Sequence, residues 1–272
     1  MRRVTLLTNP DVCNLHCPLC FLNQRAFAFG LGEMNFEIAR AAIEKYAADR
    51  DTSGKRLLQE VIPSTMGEPL LYSHFDELLE LCGALGIPLN LTTNGTFPGK
   101  WGSEDAMGVL LHSCSDIKVS YLASEQFDGW KANVEKLVRV RDRLRENARC
   151  ATISLQVTLH KKNLQEVPEI VSWASAIGVD RIKWNKVVLL KSVPSEFQKE
   201  YELTEDDVAL LRSRLKSTKV RCEGSLFFTD SHNGDCAMGG VCGVSCPFMD
   251  EIWILPDGSE NHCPDPERRF GM

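Results

Sequence analysis

The chain has 272 residues, with 31 basic and 37 acidic side chains for a net charge of −6. That length allows one large α/β domain with a small appendage and a substantial buried core, while the acidic balance argues against a nucleic-acid-binding surface. No apolar run approaches membrane-spanning length, and Met1-Arg2-Arg3 leads into too short an apolar stretch for a secretory signal. No nucleic acid or membrane partner is therefore expected, and the expected location is cytoplasmic. Eleven cysteines in such a chain point to metal chemistry in a reducing compartment rather than to a disulfide scaffold.

Strand-like and helix-like segments alternate from the start, a pattern that predicts parallel βα units. Arg3–Thr8 reads as a strand and runs into the loop Cys13-Asn-Leu-His-Cys17-Pro-Leu-Cys20. Asn35 is placed to cap a helix over Phe36–Tyr46, where Ile38, Ala42, Ile43 and Tyr46 recur at helical spacing. Glu60–Ser64 is the second strand. The next helix carries Phe75, Leu78, Leu79, Cys82 and Leu85 on one face and ends at Gly86. Leu89–Thr93 is the third strand, and Ser103 caps the short helix beyond it.

Asp116–Tyr121 is the fourth strand and leads to a long, arginine-rich helix through Leu137 and Leu144. Thr152–Thr158 is the fifth, with Ser154, Gln156 and Thr158 on one face by strict alternation. A helix with Pro168 in an early turn and Gly178 at its end follows, then a sixth strand over Arg181–Leu189, on which Lys183 and Asn185 share a face. From about Leu203 the pattern changes to one amphipathic helix, a strand-like segment over Val220–Phe228 and a cysteine- and glycine-rich tail. Within that tail, Ile252–Leu255 followed by Pro256-Asp257-Gly258 reads as a strand entering a turn. Cys82, Cys114 and Cys150 lie in apolar or strand-flanking segments and are expected in the core.

Three thiolates on one tight loop can bind three irons of a [4Fe–4S] cube and leave the fourth iron without a protein ligand. A zinc or disulfide reading needs a further ligand nearby or an even cysteine framework. The CxxxCxxC spacing resembles the signature of the radical S-adenosylmethionine (radical SAM) superfamily, in which the amino and carboxylate groups of SAM fill the open site. The resemblance implies an α/β fold, a partial (β/α)6 barrel over residues 1–200. It implies that Cys13, Cys17 and Cys20 hold the SAM-binding cluster and that a flavodoxin- or ferredoxin-type donor supplies electrons.

Gly67-Glu68-Pro69 stands one βα unit later and resembles the superfamily's GGEP segment, which binds the SAM amino group; here Met66 replaces the first glycine. Thr93 and Asn94 fit the same rim, although Thr93-Asn94-Gly95 also reads as a simple turn. By resemblance, Ser154, Gln156 and Thr158 meet the ribose and carboxylate of SAM, and adenine packs on Leu19.

Five cysteines fall in residues 201–272, namely Cys222, Cys236, Cys242, Cys246 and Cys263. This region resembles the opening of the SPASM and twitch extensions, which hold auxiliary [4Fe–4S] clusters. Because the chain ends shortly after Cys263, one auxiliary cluster is expected rather than two. A cube ligated only by protein needs four cysteines. Cys236, Cys242, Cys246 and Cys263 are the most compact set, leaving Cys222 as a free thiol. Cys222 as a ligand, with Cys242 or Cys246 spare, and a structural zinc stay open beside that assignment.

The resemblance implies reductive cleavage of SAM and removal of hydrogen from an unactivated C–H bond. Epimerisation is the leading expectation, with Cys222 as the catalytic hydrogen donor. Two-electron oxidation, with the auxiliary cluster as acceptor, is the alternative. A non-catalytic iron–sulfur protein would leave the SAM-lining residues without purpose. Cys13 lies too near the start to leave room for a leader-peptide domain. The expected substrate is therefore a small polar natural-product intermediate, such as an aminoglycoside-like sugar, or a peptide.

Overall fold

The computed structural model describes residues 2–25, 30–63, 66–122, 129–146, 149–227 and 250–262. Six strands follow one another in parallel. They are β1 (Arg2–Leu6), β2 (Leu58–Pro63), β3 (Leu89–Thr93), β4 (Cys114–Tyr121), β5 (Thr152–Leu159) and β6 (Arg181–Lys186). The helices between them are α1 (Phe21–Gln24), α2 (Phe36–Ala47), α3 (Phe75–Ala84), α4 (Glu104–Ser113), α5 (Trp130–Arg145) and α6 (Val167–Ile177). Then come α7 (Ser195–Tyr201) and α8 (Glu205–Leu215). None of the described helices is long and apolar enough to cross a membrane.

The terminators read from the sequence act as expected. Asn35 Oδ1 accepts from the Glu37 amide at 2.8 Å, Ser103 Oγ accepts from the Ala106 amide at 3.2 Å, and Gly178 ends α6 at φ 80°. One departure is β6, which ends at Lys186 rather than Leu189; beyond it the Val187 amide makes a last bond to the Leu159 carbonyl at 2.9 Å. The chain then turns away towards α7.

The tail segments do not form a layer of their own among the described residues. Strand β7 (Arg221–Glu223) adds in parallel to β6, and β8 (Glu251–Ile254) adds in parallel to β1. Strand β9 (Glu260–Asn261) pairs antiparallel with β8, so the turn at Pro256–Gly258 closes a hairpin as expected. The full order is β7-β6-β5-β4-β3-β2-β1-β8-β9. The cysteine-rich stretch expected to hold the auxiliary cluster, with Cys236, Cys242, Cys246 and Cys263, lies outside the described residues.

Alternation sorts the sheet into two faces. Val4, Leu6, Leu91, Ile117, Val119, Ile153, Leu155, Val157, Ile182 and Trp184 are fully buried in the core shared with the helices. Cys82 and Cys114 are buried in that core and Cys150 packs against it. The opposite face is polar near the amino-terminal ends of the strands. Asp116 accepts from Thr152 and Ser154, both at 2.7 Å, and pairs with Arg181 at 3.1 Å. Lys183 lies 3.7 Å from the same carboxylate, and Lys118 donates to Asn90. Burial and the neighbouring Lys183 push Lys118 down to about 8. Glu251 of β8 accepts from Thr5 and from Arg3, each at 2.8 Å. Mutual pairing makes such a buried network tolerable, and it leaves the carboxyl ends of the strands free for the site.

Candidate active site

In parallel barrels the loops after the strands build the site. After β1, the loop through Cys13, Cys17 and Cys20 lies against the loop after β2. Asn9 Nδ2 donates to the Glu68 carbonyl at 2.7 Å, and the Glu68 amide donates to the Val12 carbonyl at 2.9 Å. This approach requires Gly67. Its φ is +76°, and a Cβ there would stand 2.2 Å from the Asn9 oxygen and 2.7 Å from the Val12 oxygen, so any side chain would force the loops apart. Pro69 then opens a short 3₁₀ turn with Glu68 as its cap.

Glu68 is 1% exposed. Its Oε1 accepts from Thr93 Oγ1 at 2.8 Å and from the Leu70 amide at 3.2 Å, and its Oε2 accepts from the Asn94 amide at 2.7 Å. Burial raises its pKa from 4.5 to about 7, against the opposing pull of those donors. No cation pairs with it among the described residues. A carboxylate held this way, beside the cysteine loop, is built to receive a cationic group.

Cys13, Cys17 and Cys20 are free thiols. Burial pushes Cys17 up to about 11, with the charges of Cys20 and Cys13 adding to it, and burial raises Cys20 as well. The three sulfurs are therefore close enough to repel as thiolates. Yet no group of three or more His, Cys, Asp or Glu residues among the described residues is arranged to hold a single metal ion. Soft thiolate donors suit iron–sulfur chemistry, and metal binding would overcome their reluctance to ionise.

Thr93 and Asn94, open to a turn reading in the sequence, are both bonded to Glu68. Gln156 and Thr158 lie on the interior face, at the levels of Lys183 and Asn185. Ser154 shares that face but is lower in the barrel, where its Oγ donates to Asp116 and accepts from Arg181 Nε at 2.7 Å. Its hydroxyl is therefore engaged by Asp116 and Arg181.

Cys222 is placed differently from the expectation of a donor aimed at substrate. Its register partner is Ile182, which is fully buried on the helix side of the sheet. Trp184 Nε1 donates to its sulfur at 3.2 Å. The reason is alternation, since Glu223 pairs with Lys183 of the interior face and Cys222 must point the other way. The polar flanks Arg221 and Glu223 carried that signal in the sequence. Cys222→Ala should accordingly keep the iron content of the wild type and cost only about 1 kcal/mol in urea unfolding. Loss of iron in that variant would return Cys222 to the ligand set.

Sequence reasoning missed two residues. Asn9 stitches the loops as described, and its only cue was the turn-forming Asn9-Pro10 pair. Gln24 of α1 is buried and spans the top of the barrel. It donates to the Leu19 carbonyl at 2.7 Å and the Val188 carbonyl at 3.1 Å and accepts from the Leu190 amide at 2.9 Å. Nothing in its sequence neighbourhood announces that role.

No protein-family model matches the chain, and no curated protein matches it. Solved structures do. The crystal structure of Streptococcus suis SuiB bound to S-adenosylmethionine aligns over 96% of this chain and 60% of its own, at 16% identity and a TM-score of 0.63. SuiB bound to its precursor peptide SuiA aligns over 96% of this chain and 59% of its own, at 16% identity and a TM-score of 0.64. Native anSMEcpe with bound AdoMet and Kp18Cys peptide aligns over 97% of this chain and 75% of its own, at 16% identity and a TM-score of 0.63. The chain thus spans about 60% of the length of SuiB. At this identity the likeness is one of fold, in keeping with the parallel α/β barrel expected from the sequence.

Proposed function

We propose that the chain is a radical SAM enzyme, in which Cys13, Cys17 and Cys20 hold a [4Fe–4S] cluster and Glu68 receives the ammonium group of SAM. The observation that carries this reading is the buried Glu68 carboxylate, unpaired by any cation among the described residues and stitched to the cysteine loop through Asn9 and Val12. Bound there, the cluster and SAM would supply reductive radical chemistry able to remove hydrogen from an unactivated C–H bond. The chain's own residues orient and shield. Thr93 and Asn94 hold the Glu68 carboxylate in place, while Gln156 and Thr158 present polar groups to the ribose and carboxylate of SAM. Leu19, itself buried, offers an apolar face to adenine.

The outcome is two-electron oxidation of a peptide side chain, with an auxiliary cluster in the tail as acceptor and a flavodoxin- or ferredoxin-type protein as donor. The case for epimerisation was a spare cysteine, and Cys222 faces the helices. Cys236, Cys242, Cys246 and Cys263 remain, the number a cube ligated only by protein consumes. The peptides bound by SuiB and anSMEcpe favour a peptide over a sugar. Incubating reduced, reconstituted protein with SAM and serine- or cysteine-containing peptides in deuterated water separates the outcomes. Oxidation predicts a product two mass units lighter. Solvent deuterium at a carbon of an otherwise unchanged product would instead establish epimerisation.

A further inference from the structure

We infer that Asn94 is a positioning residue that joins the SAM-anchoring carboxylate to the cysteine loop and, by donating to the Cys13 sulfur, raises the reduction potential of the cluster. The inference rests on the function proposed above. Asn94 is the first residue beyond β3, and it faces both halves of the site at once. Its backbone amide goes to Glu68 Oε2 at 2.7 Å. Its side-chain Nδ2 goes to Asn14 Oδ1 at 2.8 Å and to Cys13 Sγ at 3.6 Å, across 81 positions of chain.

The direction of the amide is determined by its surroundings. Asn94 Oδ1 accepts from the Thr96 amide at 2.9 Å and from Thr96 Oγ1 at 2.7 Å. Thr96 Oγ1 in turn accepts from Asn14 Nδ2 at 3.0 Å, so Asn14, Asn94 and Thr96 close a ring of hydrogen bonds. Flipping the amide would set its oxygen against Asn14 Oδ1 and the Cys13 sulfur, and its NH2 against the Thr96 N–H. Only one orientation satisfies every donor, and it aims an N–H at the sulfur.

The Leu15 amide donates to the same sulfur at 3.4 Å. Donors to a ligating sulfur stabilise the more electron-rich, reduced cluster, and hydrogen bonds of this kind are a main lever on iron–sulfur potentials. Cys13 thus carries a donor that the Glu68 loop helps to hold, and the potential of the cluster is coupled to the place where SAM docks.

The test is a redox titration, followed by electron paramagnetic resonance, of reconstituted protein without SAM. The Cys13/Cys17/Cys20 alanine variant supplies the signal of any other cluster for subtraction. Asn94→Ala loses the donor and should show a lower midpoint at full iron content. Asn94→Asp keeps the acceptor facing Thr96 but replaces the donor with a negative charge, and should fall further. Thr96→Val touches neither the sulfur nor Glu68 and removes one of the two donors that hold Asn94 Oδ1 while the Thr96 amide stays, so at most a smaller fall is expected. Asn14→Ala removes an acceptor and should leave the midpoint near that of the wild type. Wild-type midpoints in both Asn94 variants at full iron would overturn the role of Asn94 alone. Absence of a cluster from the wild type would overturn the radical SAM reading itself.

Discussion

Replacing Cys13, Cys17 and Cys20 together with alanine should remove about four irons per chain and abolish all formation of 5′-deoxyadenosine from SAM. The fold should survive. The three thiols are only partly buried, and in the metal-free chain Cys17 and Cys20 resist ionisation because burial disfavours it. Removing them relieves that site and leaves the loop pinned through Asn9, Val12 and Glu68. Iron that persists in the variant belongs to the cysteines of the tail, and an iron-free variant would remove the proposed auxiliary cluster. SAM cleavage under dithionite by the triple variant would refute the central assignment.

Glu68→Gln should weaken SAM binding by about 2–5 kcal/mol, roughly 30-fold to several thousand-fold, while iron content stays unchanged. The buried ammonium of SAM would lose its partner, and water cannot replace it in a site this closed. Calorimetric titration reads the effect directly, and equal affinity in variant and wild type would reduce Gly67-Glu68-Pro69 to an ordinary turn.

The same substitution has a pH signature in the ligand-free chain. The folded pKa of Glu68, about 7, stands above the ordinary 4.5, so the folded state binds this proton more tightly than the unfolded chain does. The associated stability is complete below pH 4.5 and disappears as pH rises through about 7. Its full extent is at most about 3 kcal/mol. Urea unfolding at pH 5 and pH 8 should show that decline in the wild type and not in Glu68→Gln. SAM, by pairing with the ionised carboxylate, should bind the wild type more tightly as pH rises over the same range.

Much of this was legible in the sequence because its physical cause is local. The Cys13–Cys20 spacing places three soft donors on one loop whatever the rest of the chain does. Caps and stops such as Asn35, Ser103 and Gly178 act within a turn of their own positions, so the βα order could be read without a structure. Alternation along β5 put Ser154, Gln156 and Thr158 on one face correctly. The same rule applied to Arg221, Cys222 and Glu223 would have turned Cys222 towards the helices, had the cysteine count not weighed more.

What the tertiary structure alone decided are pairings between residues far apart in the chain. Strand β8 settles beside β1, joining Arg3 to Glu251 across 248 positions. No local pattern in either segment names the other, because both are short and many edges could accept them. Ser154 meets Asp116 and Arg181 because strand register sets its depth in the barrel. Asn94 reaches Cys13 because the loops after β1, β2 and β3 meet at one end of the sheet. Periodicity and spacing depend on near neighbours and are written in sequence order. Which buried polar group satisfies which depends on packing, where a displacement of an ångström exchanges one partner for another.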